Sequence, residues 1–137
     1  MKPVAIVADT NVIVSALFWG GNESKIVHLV EEGKIKLLTS VALLDELKKV
    51  LMYERFGLNE KEIDDNVKYI LTISEIISPK RRLRVIYEDP ADNRVLECAL
   101  AGTAAYIVSG DKHLLQLKKF GGAKIVRAKE LLSILKE

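Results

Sequence analysis

The stretch Val4-Ala5-Ile6-Val7-Ala8-Asp9-Thr10-Asn11-Val12-Ile13-Val14-Ser15-Ala16-Leu17 decides how this chain is read. Its five opening residues are small or β-branched and apolar, the pattern of a strand buried on both faces of a parallel sheet. Asp9 then interrupts the run, and apolar residues resume after Thr10 and Asn11, either of which suits a helix N-cap. The reading is strand, tight turn, helix, with a carboxylate at the strand's C-terminal end. In open α/β sheets ligands bind in the crevice outside those ends. Taken alone, Asp9 serves equally well as a turn or capping residue, so acids elsewhere in the chain have to decide its role.

The composition narrows the classes. A length of 137 residues, 49% hydrophobic and 29% charged, predicts one soluble globular domain spanning residues 1–137, with a substantial core. A net charge of +2 is too small to argue for nucleic-acid binding by itself. The single cysteine, Cys98, rules out an intrachain disulfide and a multi-cysteine metal cage, and its apolar neighbours make it a buried core thiol. Asp9 interrupts the first apolar run too early for a signal peptide, and no run approaches the roughly 20 apolar residues of a membrane span. A cytoplasmic location without membrane attachment is expected. Abundant Lys, Glu and Ile beside a single glutamine, Gln116, is a bias seen in hyperthermophiles.

Helices and strands alternate along the rest of the chain. Helices are predicted over residues 11–18, 23–32 and 41–53, then from Asn59, over 92–101, from Lys112, and over 128–136. Gly33 is a helix stop and Ser40 an N-cap. Strands are predicted over residues 36–39, 105–109 and 124–126, with Val85-Ile86-Tyr87 as a further candidate. This alternation predicts a three-layer α/β/α sandwich around a parallel, roughly five-stranded sheet.

Four acids stand out against this frame. Asp111 follows the apolar strand Ala105-Tyr106-Ile107-Val108-Ser109 as Asp9 follows the first, and all C-terminal ends in a parallel sheet share one edge. Asp92 lies at a helix start, in the polar turn Glu88-Asp89-Pro90-Ala91-Asp92-Asn93-Arg94, where a plain capping role also fits. Glu46 sits beside the apolar stripe of Leu43, Leu47 and Val50, and an acid at a core edge needs a metal, a basic partner or a helix-cap contact. Carboxylates that converge repel one another unless they share protons or hold cations. Oxygen ligands without His or Cys favour Mg²⁺ or Mn²⁺, and such a site suits phosphodiester hydrolysis. No Ser–His or Cys–His motif and no Gly-rich phosphate loop competes with this reading. His28 has no ligand at metal spacing and reads as a surface residue. The run Lys80-Arg81-Arg82-Leu83-Arg84 is the only dense basic segment. It is either a solvated loop or a contact for a phosphate backbone.

Together the blocks Val7 to Ala16, Thr39-Ser40 leading to Glu46, Asp89-Pro90-Ala91-Asp92-Asn93, and Tyr106-Ile107-Val108-Ser109-Gly110-Asp111 make the chain resemble a PIN domain. It is particularly similar to the bacterial and archaeal PIN toxins of toxin–antitoxin systems, relatives of the VapC-like ribonucleases. The resemblance implies a Mg²⁺- or Mn²⁺-dependent endoribonuclease, with Asp9, Glu46, Asp92 and Asp111 as catalytic metal ligands. It implies that Thr10 or Asn11 and Ser109 position water or substrate. Asn93 is an alternative to Asp92 at the third acidic position, and Asp92 is preferred because a carboxylate binds metal more strongly than an amide. His113 receives no catalytic role. Lys80, Arg81, Arg82 and Arg84 are second-rank candidates for gripping RNA. A cognate antitoxin and a homodimer are the implied protein partners, with Leu17, Phe18 and Trp19 available for contact or for the core. Three rivals stand beside this reading: a housekeeping RNA-processing nuclease without antitoxin, a non-catalytic interaction module, and a receiver-like phospho-acceptor domain. The last lacks the paired acids it needs at Asp9-Thr10-Asn11.

Overall fold

The computed structural model describes residues 3–136. Those residues form the strands β1 (Val4–Ala8), β2 (Ile35–Thr39), β3 (Ser74–Ile76), β4 (Tyr106–Val108), β5 (Lys119–Phe120) and β6 (Ala123–Val126). The helices are α1 (Thr10–Phe18), α2 (Gly21–Glu31), α3 (Val41–Leu51), α4 (Glu60–Ile73), α5 (Asp92–Gly102), α6 (Lys112–Leu117) and α7 (Ala128–Leu135), with a 3-10 turn at Glu54–Phe56.

The strands lie in the order β3-β2-β1-β4-β6-β5. Every pairing is parallel except the short β5–β6 hairpin. The unbroken apolar opening run becomes β1, inside the sheet and covered on both faces. Successive side chains of a strand point to opposite faces, so Ile6 and Ala8 join one core and Val7 joins the other. The first core holds residues of α1, α2, α3, α4 and α7, including Val12, Ile26, Leu47, Ile63 and Leu131. The second is built on α5 and α6 through Val95, Leu96 and Leu114. This is the expected three-layer α/β/α sandwich.

The chain leaves β1 toward β2 on one side, while β4 lies on the other. The C-terminal edge between β1 and β4 is therefore the switch point at which an open parallel sheet leaves a crevice.

The sheet, expected with roughly five strands, has six because β3 and the two-residue β5 both join it. Three local expectations are corrected. Residues 85–87 form no strand; the backbone amides of Val85 and Ile86 both donate to Asn93 Oδ1, so they have no ladder to join. The cap of α1 is neither Thr10 nor Asn11 but Asp9, whose Oδ1 accepts the Val12 amide at 3.0 Å. Gly102 is the last residue of α5 instead of the residue beyond it. A Cβ there would lie 2.6 Å from Leu38 Cδ1, and Thr103 takes the left-handed turn. Its missing side chain lets α5 close down on β2.

Candidate active site

Asp9 directly follows β1 and is 5% exposed, among the most buried polar residues of the described chain. It caps α1 through Oδ1, while Oδ2 accepts a short hydrogen bond from the Ser109 hydroxyl. Ser109 follows β4 directly, and its Oγ also accepts the Asp111 amide at 2.9 Å. One buried hydroxyl thus ties together the two turns that carry Asp9 and Asp111. Asp111 in turn caps α6, with Oδ1 accepting the amides of His113 at 2.7 Å and Leu114 at 3.4 Å. Capping fixes each carboxylate on a rigid element, and a capped oxygen keeps a second lone pair. Capping therefore does not exclude a further ligand at either strand end.

The sheet edge brings Asp9, Thr10, Asn11, Glu46, Asp89, Asp92 and Asp111 to the wall of one pocket of about 60 Å³. Glu46 reaches it from the second turn of α3, and Asp92 from the first turn of α5. Asp92 is 7% exposed, and its Oδ2 is buried with no hydrogen-bond partner. Burial pushes its carboxyl up to about 7, with repulsion from Asp111, Asp89, Asp9 and Glu46 adding to the shift. Asp9 is also raised, chiefly by burial, against the lowering effect of its bonds from Ser109 and Val12. A pocket that makes its own acids hard to ionise is poised to receive positive charge.

Asn93 is not part of this wall. Its side chain, 2% exposed, accepts the amides of Val85 and Ile86 and donates to the Ile86 carbonyl, with distances of 2.7–2.9 Å. Asp92 and Asp89 are the acids of the crowded turn that face the pocket. Asp89 also caps its own turn, with Oδ1 accepting the Ala91 amide.

The structure adds His113. Asp92, Asp111 and His113 each offer a ligand atom within 4.8 Å of the others. His113 Nδ1 lies 3.4 Å from Asp111 Oδ1, and Nε2 lies 3.7 Å from Glu88 Oε2. Its signal in the sequence was its position two residues after an acid that caps a helix, which turns the ring back over the cap. Lys80, Arg81, Arg82 and Arg84 lie apart from the acids, exposed on the segment between β3 and α5. Cys98 is fully buried, and burial pushes its thiol up to about 12, so no reactive thiolate is available. His28 pairs with Glu31 on the surface.

A family model described as PIN domain matches residues 5–113. Comparison with curated protein sequences gave no match. Among solved structures, the chain is similar to PAE2754 from Pyrobaculum aerophilum, with TM-score 0.63 and 19% identity, covering 99% of this chain and 91% of that one. It is similar to VapBC2 from Rickettsia felis, solved bound to a DNA fragment from its promoter, with TM-score 0.62, 16% identity, and 89% and 97% coverage. It is also similar to the RRP44 PIN domain of T. brucei, with TM-score 0.55, 13% identity, and 98% and 82% coverage. At these identities the likeness to solved structures is one of fold.

Proposed function

This chain belongs to the PIN-domain family, whose members are generally nucleases, and from that premise we propose that residues 1–137 form a metal-dependent endoribonuclease domain. The observation that carries the proposal is the buried, unpartnered Oδ2 of Asp92 in a pocket walled by four further carboxylates. A buried charge persists only when something compensates it. Among the described residues no lysine or arginine lines that wall.

Asp9, Asp92 and Asp111, with Glu46 at the rim, would hold Mg²⁺ or Mn²⁺, hard cations that prefer such an all-oxygen set. When bound, such an ion lowers the pKa of a water, orients it and neutralises charge on the leaving oxygen. The protein's own part is placement. Ser109 fixes the Asp9 carboxylate, the α6 cap fixes Asp111, and α5 delivers Asp92 at the same edge. Thr10 and Asn11 line the approach with small polar groups. Attack by water on the RNA phosphodiester breaks a P–O bond and leaves no covalent enzyme intermediate.

In this proposal the enzyme is the cytoplasmic toxin of a type II toxin–antitoxin pair, which the fold-level likeness to VapBC2 supports. A cognate antitoxin and a second copy of the chain are its protein partners. Leu17 packs against the core, whereas Phe18 and Trp19, whose rings meet each other and Phe56, and Met52 and Tyr53 after α3 expose apolar surface suited to a protein contact. The likeness to the RRP44 PIN domain favours a second reading, an RNA-processing nuclease without antitoxin. An adjacent small open reading frame encoding a binding partner would separate the two. No helix among the described residues is long and apolar enough to cross a membrane.

The test is cleavage of RNA by the purified protein with and without Mn²⁺, beside Asp9→Asn. Cleavage that needs the cation and Asp9 is expected. Full activity in a folded, metal-supplied Asp9→Asn protein would sink the proposal. No cation binding by calorimetry, together with no cleavage of any RNA, would leave a non-catalytic interaction module.

A further inference from the structure

The segment of residues 77–91 between β3 and α5 has no regular secondary structure, yet buried side chains of α5 pin it at several points. Asn93 holds Val85 and Ile86, Glu97 Oε2 accepts the Leu83 amide at 2.7 Å, and Arg94 Nη2 donates to the Leu83 carbonyl at 3.1 Å. Arg94 and Glu97 pair at 2.8 Å, which neutralises both inside the clamp. Long loops of this kind in compact domains are usually functional. Its outward face carries Lys80, Arg81, Arg82 and Arg84, and among the described residues none of the four makes a salt bridge.

Between the loop and α5 lies a concavity of about 300 Å³, lined by Arg82, Arg84, Tyr87 and Pro90 and floored by Asn93 and Arg94. Tyr87 is 79% exposed, an unusual cost for an aromatic side chain on a pinned loop. Pro90 stands between Asp89 and Ala91, both of which line the acidic pocket, so the two concavities share that turn as their divide. Aromatic faces beside unpaired arginines are the chemistry of single-stranded nucleic-acid binding: the ring stacks on a base and the guanidinium groups take phosphates.

We propose that the concavity formed by Arg82, Arg84, Tyr87 and Pro90 is a nucleotide subsite, which seats a base on Tyr87 and its flanking phosphates on the two arginines. It rests on the nuclease reading for its place beside the cut, and it makes Tyr87 a determinant of where a strand is held. Nearby carboxylates do not occupy it: Glu88 faces His113, and Asp89 faces the acidic pocket.

The test separates binding from cleavage. Asp9→Asn protein is titrated with a fluorescein-labelled 12-nucleotide single-stranded RNA in EDTA, in the background of Tyr87→Ala, Tyr87→Phe, or Arg82→Gln with Arg84→Gln. Tyr87→Ala is expected to weaken binding roughly tenfold and Tyr87→Phe to retain it. The double arginine variant should lower the salt slope by about 1.4, the value for two single-strand phosphates. Scanning an abasic site along the RNA should find a position that weakens binding in the parent and not in Tyr87→Ala. In otherwise wild-type enzyme, Tyr87→Ala should raise KM and leave kcat unchanged.

Binding indifferent to Tyr87 and to the arginines overturns the subsite, whether or not the protein cleaves RNA. Tyr87-dependent binding by a protein that cleaves no RNA keeps the subsite and refutes the nuclease reading. Binding that needs the arginines but not Tyr87, and that polyglutamate displaces as well as RNA does, marks an acidic-protein surface and overturns the nucleotide assignment.

Discussion

Asp92 and Asn93 are neighbours in the first turn of α5, both buried, and their surroundings are opposite. Asn93 spends its amide on three backbone groups of residues 85 and 86. Asp92 has a buried oxygen with no partner, in the company of four other acids. A fully satisfied polar group specifies structure and costs little, whereas an unsatisfied one costs stability that only a ligand restores. One turn of helix therefore divides two jobs: one side anchors the loop that displays Tyr87 and the arginines, and the other opens on the acidic pocket. A related contrast holds at the strand ends: Asp111 caps its helix with one oxygen, whereas Asp9 caps with Oδ1 and accepts the Ser109 hydroxyl on Oδ2, and both line the pocket.

The widest separation between the two neighbours should come from Asp92→Asn. On the proposed role of Asp92 in holding the cation, its loss should lower RNA cleavage by more than about a hundredfold, the upper range for removing only a supporting group around a metal. The same change relieves repulsion in the pocket, so the metal-free protein should melt higher, by on the order of 3–5 °C, which corresponds to about 1 kcal/mol in a chain of this size. A variant that lost both cleavage and stability would put Asp92 in the same class as Asn93. Asn93→Ala should do the reverse. It strands two buried or part-buried amides and a carbonyl, and should destabilise by about 2–3 kcal/mol. Urea midpoints with an unchanged m-value would show it. Proteolysis should then begin within residues 77–91, while kcat on saturating RNA falls far less than in Asp92→Asn.

The sequence made the frame legible where a single physical signal dominated. Unbroken apolar runs identified β1 and β4, and helical spacing, with Ser40 as a cap and a helix beginning at Asn59, located α3 and α4. Two acids after two buried parallel strands had to share an edge, and Asp9 and Asp111 do line one pocket. What the sequence concealed was long-range pairing. Val85-Ile86-Tyr87 reads as a strand by composition, but a side chain eight residues ahead takes its amides, and local propensity carries no sign of that. The use of Asn93 to hold residues 85 and 86, and the placement of His113 beside Asp92, depend on which way a helical turn faces. Neither is written in residue type. The strand Ser74–Ile76 was hidden for a related reason, since three residues at a helix end carry too little periodicity to be told from the helix.

The pH dependence of the metal-free protein gives a smaller effect of defined sign. Asp92 titrates at about 7 in the folded protein, above the roughly 3.9 of an unfolded aspartate. The folded state holds that proton more tightly, so the stability it contributes is complete below about pH 4 and is lost as pH rises through about 7. In EDTA the melting temperature should fall between pH 5 and 8, and Asp92→Asn should flatten the decline. Asp9, raised in the same direction by burial, leaves a residual slope in that variant. Cation binding needs the carboxylate, so Mn²⁺ should bind more tightly and release fewer protons as pH climbs past 7. A metal-free melting temperature that rises over this range would contradict the burial of Asp92 as an unpaired acid.

Ser109→Ala should have the smallest effect, and the outcome decides whether the hydroxyl positions Asp9 or touches substrate. Its loss removes the bond to Asp9 and leaves the Asp111 amide without its acceptor. The expected cost is about 1–2 kcal/mol of stability, with cleavage reduced within about a hundredfold, as for groups that orient metal ligands. The direction of a pH shift separates the roles. The Ser109 bond lowers the Asp9 pKa, so its removal raises it, and the acidic limb of the cleavage profile should move to higher pH. Ser109→Thr keeps a hydroxyl and should restore both the limb and the rate. A hydroxyl acting on the substrate would instead leave the limb in place and depress the rate at every pH.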